Sequence, residues 1–458
     1  MIQHAIVLAA GEGRRIWPYG EFRQKCTLPV ANVPAVRRLC QSLKRCGVEE
    51  IVLVVGHGAQ QVRGATADIE GVRYVTQRVP DGTASATLLA LETLPEWDTV
   101  LVLYGDIVTP TENLRQFIEA FQGSNCEAGL LVAPLGEESS HDWICASIGE
   151  GLLREVKGHP RGGSHRLCGV FAFRPAAVRY LLRNPGFAAP VDVGGMPPPE
   201  ADLAASLQLM VEEGREVFAA ESTEFFVDLD KPWHLLEANH RVVDYLCAHL
   251  ERDVIGEGAE ISDGAEIEGR VHLGRNTRIG RRVVLRGRAI VGANTEITNG
   301  AILKGNFVIG DRCSIRNYCE VGSSAIGDRC IIGHGAEFSG VLFKKVYLYH
   351  YCELWGVFGE ATDIGAATVC GTLRFDDGET VHRIEGRPEV PPAYGNATYF
   401  GDFCRTGVNA ILMPGVKVGS YCCIGPGVVL YEDVPSKTLL LAKQELIRKP
   451  WGPERYGW

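Results

Sequence analysis

The residues best placed to do chemistry begin at Gly11. An apolar run, residues 4–10 (HAIVLAA), ends directly in Gly11-Glu12-Gly13-Arg14-Arg15. Glycines at the end of a strand leave backbone N–H groups open to an anion, and a neighbouring arginine adds positive charge. The spacing is not the dinucleotide fingerprint G-x-G-x-x-G, because Ile16 holds the third glycine's place. Read alone, Gly11 is equally the ordinary turn after a strand. Lys25, Asp106 and Asp228 either join such a site or are a solvated lysine and two turn or cap residues. Gln77 carries a carboxamide that donates and accepts hydrogen bonds at once.

Such residues need a scaffold that brings them together. Further apolar runs at 50–55 (EIVLVV), 99–104 (TVLVLY) and 128–133 (AGLLVA) alternate with helical patterns at 34–46, 83–93 and 112–122. That alternation predicts a mostly parallel sheet, with ligands at the carboxyl ends of its strands. The length of 458 residues asks for two or more domains, and 46% hydrophobic with 22% charged residues excludes a disordered or fibrous chain. No run of about 18 apolar residues exists, and the N-terminus lacks a basic region and a cleavage site, so neither a membrane span nor a secretory signal is expected. Fifteen cysteines without a Cys-x-x-Cys pair suit a reducing cytoplasm rather than a disulfide scaffold or zinc ribbon. A net charge of −10 makes nucleic acid an unexpected partner.

The 54 glycines, about 12% against a usual ~7%, thicken after residue 250. Stepping by six from Ile255 meets Ile261, Ile267, Leu273, Ile279, Leu285, Val291, Ile297, Leu303, Ile309, Ile315 and Val321, all aliphatic. Small or β-branched residues sit four places after most of them, cysteines 313 and 319 included. The register slips by one to Ile326 and Ile332, breaks around 341–357, returns at Phe358 and Ile364, pauses through 371–398 and resumes at Phe400. A period of six is one short strand plus one turn, repeated. The aliphatic residue points into a shared interior, and glycine or asparagine is expected to take turn conformations with φ > 0. The cysteines at 313, 319, 330, 404 and 422 fall on the small inward position, where a thiol acts as a small hydrophobe.

This repeat resembles the hexapeptide-repeat, left-handed β-helix family, whose members are usually trimers. In the first half, Leu8-Ala-Ala10-Gly-Glu-Gly-Arg-Arg15 with Lys25-Cys-Thr-Leu-Pro29 resembles the signature of sugar-1-phosphate nucleotidylyltransferases. Gln77-Arg-Val-Pro-Asp-Gly82-Thr83 is similar to that family's base-recognition loop, and Tyr104-Gly105-Asp106 and Phe226-Val227-Asp228 to its two metal-ligand segments. The resemblance implies Mg²⁺ held by Asp106 and Asp228, and a triphosphate cradled by Gly11, Gly13 and Arg15. It places Lys25 between the two reacting phosphates, and Leu8, Ala10, Gln77, Gly82 and Thr83 around the nucleotide. The substrates implied are UTP or dTTP and a sugar 1-phosphate. Where the family contacts the sugar, this chain has Arg154-Glu-Val-Lys157-Gly158 in place of a glutamate segment, and Leu167-Cys168-Gly169 in place of Asn-Thr-Gly. Gly169 is the candidate substrate residue left there.

The fused order resembles bifunctional N-acetylglucosamine-1-phosphate uridylyltransferase/glucosamine-1-phosphate acetyltransferases, the archaeal type in particular. Tyr349-His350-Tyr351, Ile364-Gly-Ala-Ala-Thr368 and Leu373-Arg-Phe-Asp376 carry that likeness. It implies His350 as general base on an amino group and acetyl-CoA as co-substrate, chemistry that a neutral imidazole suits. His350 reads equally as the cap of a loop on a β-helix that only trimerises the protein, and related fusions are non-catalytic regulatory subunits. The expected architecture is an α/β Rossmann-like nucleotidyltransferase domain (1–231), a connecting helix (232–253), a left-handed parallel β-helix (254–436) and a tail (437–458).

Overall fold

The computed structural model describes residues 2–136, 140, 142–157, 163–187 and 200–452. Gly158, the Lys157 side chain and residues 453–458 of the tail lie outside that description. The first half is built on nine strands: β1 (His4–Ala9), β2 (Glu50–Val55), β3 (Val72–Thr76), β4 (Val100–Tyr104), β5 (Ala128–Pro134), β6 (Cys145–Gly149), β7 (Leu152–Lys157), β8 (His165–Phe173) and β9 (Val217–Glu221). They form one sheet in the order β3-β2-β1-β4-β8-β5-β9-β7-β6. β1 runs parallel to β2 and β4, whereas β8 is antiparallel to both β4 and β5.

Continuous apolar strands are explained by burial on both faces. Ala5, Val7 and Ala9 join one hydrophobic layer, while Ile6 and Leu8 join the other. Helices Ala35–Arg45, Thr83–Leu91 and Thr111–Gln122 stand where their patterns predicted. Among the described residues, no helix is long and apolar enough to cross a membrane.

The second half winds as a parallel β-helix, each coil pairing with the next. Gly269 pairs with Gly287 and Gly287 with Gly305, eighteen residues apart each time. The inward aliphatic residues from Leu273 to Leu430 form a single core. Ile255 and Ile261, in the first coil, are exposed because no coil lies beneath them. The expected break at 341–357 does not exist: strands Glu337–Leu342 and Glu353–Phe358 pair in register, with Leu348 and Leu354 buried between. The coil shortens here to sixteen residues, so the step from Phe338 to Leu342 and from Leu354 to Phe358 is four rather than six. The true interruption is 371–397, where the hairpin His382–Ile384/Arg387–Glu389 leaves the coil.

The glycines have a different cause from the one expected. Most left-handed turn positions are held by other residues, Asn276, Arg282, Arg312, Tyr318, Lys345 and Tyr351 among them. Glycines after the aliphatic residue are required by the next coil instead: a Cβ on Gly310 would stand 2.7 Å from the Asp328 nitrogen, and one on Gly419 2.4 Å from the Ser436 nitrogen. One column does need positive φ. Gly287, at φ 127°, bends its strand so sharply that a Cβ would lie 1.9 Å from the Gly305 carbonyl oxygen. Gly287→Ala is therefore expected to destabilise the β-helix by at least about 2 kcal/mol, seen as a lower urea midpoint. The inward cysteines are buried, and their thiols bond to the next coil's carbonyls, as Cys319 does to Gly333 at 2.9 Å. Burial pushes the Cys319 thiol up to about 11, which suits packing rather than reactivity.

The helix Pro232–Ala248 is not a free-standing connector. With Leu235, Leu236, Val242 and Val243 it shares one core with Ile16, Tyr19, Leu28 and Val30 of the first half and Val341, Phe343, Val357 and Tyr399 of the β-helix. The Tyr19 hydroxyl donates to the Val357 carbonyl at 2.8 Å, and Asn32 donates to the Ile326 carbonyl at 2.7 Å. The two halves are thus one packed body, and the loop carrying Gly11 to Lys25 rests on the second.

Candidate active site

β1 and β4 end side by side, and the Gly105 N–H donates to the Leu8 carbonyl at 2.8 Å. The short ladder Val227–Asp228/Ile107–Val108 sets Asp228 opposite Ile107, and the Leu229 N–H donates to the Asp106 carbonyl at 3.0 Å. That crossing brings two carboxylates distant in sequence to the same strand ends. Gln24 ties the preceding loop to the sheet: its amide donates to the Ala9 carbonyl at 3.0 Å and its carbonyl accepts from the Cys26 N–H at 2.5 Å. Gly13, at φ 66°, passes so close to Lys25 that a Cβ would stand 2.8 Å from the lysine's own.

These elements aim Lys25 at three carboxylates. Its ammonium is ion-paired with Asp106 and lies 3.9 Å from Asp230, which Arg15 also reaches at 3.0 Å. Burial works against the Lys25 ammonium, but Asp106, Asp228 and Asp230 outweigh it and hold its pKa well above the usual lysine value. Asp228 is held above the ordinary carboxylate range by burial and then by the Asp106 charge. Asp230 goes the other way: burial opposes its charge, but Lys25 and Arg15 more than compensate. Asp228 Oδ1 is buried without a hydrogen-bond partner.

A cavity of about 620 Å³ opens over this cluster. Leu8, Ala10, Gly11, Gly13, Arg15, Lys25, Gln77, Gly82, Thr83, Asp106 and Asp228 all line it. Gly11 faces open space, with nothing within 4 Å of where its Cβ would be. Without a ligand, the Gln77 amide donates to Asp81 at 2.9 Å, and the Thr83 hydroxyl accepts from the Leu203 N–H at 2.9 Å. Gly169 does not line the cavity. It sits behind it at φ 62°, where a Cβ would meet the Tyr104 ring at 2.6 Å; Leu167 supplies the wall instead. His350 lies elsewhere, in an exposed turn of the β-helix, with its ring edge-on to Tyr351 at 5.4 Å.

Sequence reasoning missed Asp230, Trp143 and Glu385. Asp230 follows Asp228 across a tight turn closed by the Asp230 N–H on the Asp228 carbonyl at 2.8 Å, beyond the strand end that the sequence marks. Nothing in the local sequence marks Trp143, and Glu385 reaches the cavity from the hairpin of the β-helix.

The family model of the MobA-like NTP transferase domain matches residues 5–171, and that of the bacterial transferase hexapeptide (six repeats) matches residues 397–432. The "Bifunctional protein GlmU" of Methanococcus maripaludis is 27% identical over 449 residues, 97% of this chain and 98% of that protein. The "Bifunctional sugar-1-phosphate nucleotidylyltransferase/acetyltransferase" of Sulfurisphaera tokodaii is 24% identical over 432 residues, 94% of this chain and 98% of that one. Among solved structures, the inositol-1-phosphate CTP transferase from T. maritima covers 51% of this chain and 91% of its own, at 20% identity and a TM-score of 0.44. The chain is an enzyme of the nucleotidyltransferase class, an NTP transferase domain followed by hexapeptide repeats, built along the full length of the bifunctional sugar-1-phosphate nucleotidylyltransferase/acetyltransferases it resembles.

Proposed function

We propose that the first domain transfers a nucleotidyl group from UTP or dTTP to a sugar 1-phosphate and releases pyrophosphate. The observation that carries this reading is the convergence of Arg15, Lys25, Asp106, Asp228 and Asp230 at two adjoining strand ends, beneath a cavity edged by Gly11, Gly13 and Gln77. A phosphate oxygen of the sugar 1-phosphate attacks the α-phosphorus, the bond from that phosphorus to the β-phosphate oxygen breaks, and pyrophosphate leaves with the bonding pair. Such transfer depends on positioning and charge neutralisation. Backbone N–H groups at Gly11 and Gly13, with Arg15, face the triphosphate. Lys25 lies where the two phosphates crowd and offsets the charge that develops between them. Gln77 reads the base, with Gly82 and Thr83 along its other edge.

The residues also fit Mg²⁺. Asp228 Oδ1, buried and unpartnered, and the Asp106 carboxylate make the two-carboxylate set that this hard cation completes with phosphate oxygens. When bound there, Mg²⁺ supplies neutralisation of phosphate charge. The test is pyrophosphate release with UTP, dTTP, CTP, GTP and ATP crossed against hexose and amino-sugar 1-phosphates. The strongest release is expected with uracil or thymine. Release with no pair would leave a non-catalytic regulatory subunit as the better reading.

The hexapeptide match and the acetyltransferase relatives favour a second activity, acetylation of an amino sugar 1-phosphate by acetyl-CoA, with His350 taking a proton from the amino group. His350 stands in an open turn, so a site around it calls on neighbouring copies, which a homotrimer joined through the β-helix would supply. His350→Ala is expected to abolish CoA release from acetyl-CoA with glucosamine 1-phosphate and to leave pyrophosphate release unchanged. No CoA release by the wild type would reduce the β-helix to scaffolding. A cytoplasmic setting suits fifteen cysteines with no Cys-x-x-Cys pair.

A further inference from the structure

The chain that leaves the β-helix after Cys370 returns only at Thr398, and between them it travels to the first domain. It is firmly held on the way. The His382 ring, buried 5.1 Å from that of Trp233 on the connecting helix, donates from Nε2 to the Gly395 carbonyl at 2.7 Å. Its Nδ1 accepts from the Lys417 ammonium at 3.2 Å, and Lys417 pairs with Asp433 at 2.7 Å. Further along, the Tyr394 hydroxyl meets His240 Nδ1 at 3.2 Å. Glu385 and Gly386, at φ 47° and 84°, make a two-residue turn of the kind that stiffens a hairpin.

That stiff hairpin ends at the nucleotidyl-transfer site. Glu385, in its turn, lines the cavity that holds Lys25 and Asp106. Glu389, on the return strand, is ion-paired with Lys231, a buried ammonium next in sequence to Asp230. Between the insertion and the first domain lies a second cavity, of about 500 Å³, lined by Trp143 and His234 on one side and by Glu379, Glu389 and Pro391 on the other. Trp143, Asp228 and Asp230 line both cavities, so the two meet at the carboxylates. Around Trp143 the first domain contributes the apolar Ile144 and Leu167 and the carboxylate of Asp142, with the Arg166 guanidinium 4.5 Å and the His234 ring 5.6 Å from the indole. A sugar needs a flat apolar face for its C–H side and acceptors for its hydroxyl protons. The first domain supplies the face, and the insertion adds Glu385 and Glu389 to the acceptors that the first domain itself carries.

We propose that this insertion is the acceptor-recognition element of the nucleotidyl-transfer site. The sugar ring packs on Trp143 while Glu385 and Glu389 accept its hydroxyl or ammonium protons, so the second domain sets the sugar specificity of the first. The inference rests on the nucleotidyl-transfer reading above. It follows that an acceptor bearing its own carboxylate is selected against by like charge.

The experiment uses the full chain with Glu385→Gln and, separately, Glu389→Gln, varying the acceptor at saturating nucleotide and then the nucleotide at saturating acceptor. Acceptors are glucose 1-phosphate, glucosamine 1-phosphate and glucuronic acid 1-phosphate. The expected result is a KM for the preferred acceptor raised about tenfold, a KM for the nucleotide within about twofold of wild type, and glucuronic acid 1-phosphate gaining about tenfold relative to glucosamine 1-phosphate. Glu385 is exposed, so its variant carries no folding risk, and thermal melting checks the Glu389 variant, which unpairs Lys231. Unchanged acceptor KM values in both variants, or an equal rise for the nucleotide, would reduce the insertion to a brace between domains. A wild type that transfers to no acceptor would overturn the nucleotidyl-transfer reading itself. An active wild type with indifferent variants would overturn only the role of the insertion.

Discussion

Asp106→Asn is expected to lower pyrophosphate release about a thousandfold, some 4 kcal/mol of barrier, while the protein melts at or slightly above the wild-type temperature. The two halves of that expectation come from the same contacts. Asp106 faces Lys25 and stands beside Asp228, whose carboxylate is held above its ordinary range by burial and by the Asp106 charge. Removing one of three crowded carboxylates relieves that repulsion and leaves Lys25 with Asp228 and Asp230. Folding therefore loses little, but the two-carboxylate set is broken. Lys25→Met gives the contrasting result. It abolishes transfer too, yet leaves Asp106 and Asp228 without their cation and Asp230 with only Arg15 and Lys231, and uncompensated buried charge typically destabilises by about 3–5 kcal/mol. Pyrophosphate release and thermal melting on both variants check the pair. An Asp106→Asn protein that keeps wild-type turnover, or one that loses activity only by unfolding, would contradict the assignment.

Much of this site was legible because its parts are local. Strand β1 is a continuous apolar run, Gly11 to Arg15 follows it without a gap, and Asp106 comes after the apolar run 99–104 with one residue between. The β-helix was legible for the same reason, since a six-residue step finds inward residues without knowing which coil they belong to. It failed at 338–358 because there a coil loses two residues while its stacking is kept, and a fixed step cannot follow that. It also counted only what points inward. Val308, Ala325, Val341 and Val357 point outward in register on four successive coils, yet they are buried against the connecting helix and the first domain. That outward apolar column is the sequence signal for a shared core, and a six-residue step that tracks inward residues passes over it. The hairpin had no signal at all. A pause in a repeat says that chain leaves the coil, not where it goes.

The shared core makes a second large effect measurable. Arg23 lies on the loop between the triphosphate glycines and Lys25, and it is the charged hinge of the domain contact. Its guanidinium donates from Nε to Asp402 at 2.6 Å and from a terminal nitrogen to Glu360 at 2.7 Å, with the Phe343 ring 5.5 Å away. The side chains are 22% exposed for Arg23, 14% for Glu360 and 5% for Asp402, so solvent screens this cluster only slightly. Burial disfavours the Glu360 charge, but Arg23 and then Lys344 outweigh it and hold its pKa below the usual range. Arg23→Met keeps most of the apolar stem, strands Asp402 against the first domain and leaves Glu360 with Lys344 alone. The expected loss is about 3 kcal/mol, the usual result of removing one partner from a buried pair. Because the pair joins two domains, the loss is expected as separation of one transition into two, seen as fluorescence and circular-dichroism melting curves that no longer coincide. The loop is also freed at the end that carries Lys25, so kcat is expected to fall by about tenfold with little change in nucleotide KM. Arg23→Met/Asp402→Asn removes one stranded acid and is expected to restore part of the stability. If coupling between the domains ran only through the connecting helix, the single variant would melt in one transition and the double variant would gain nothing.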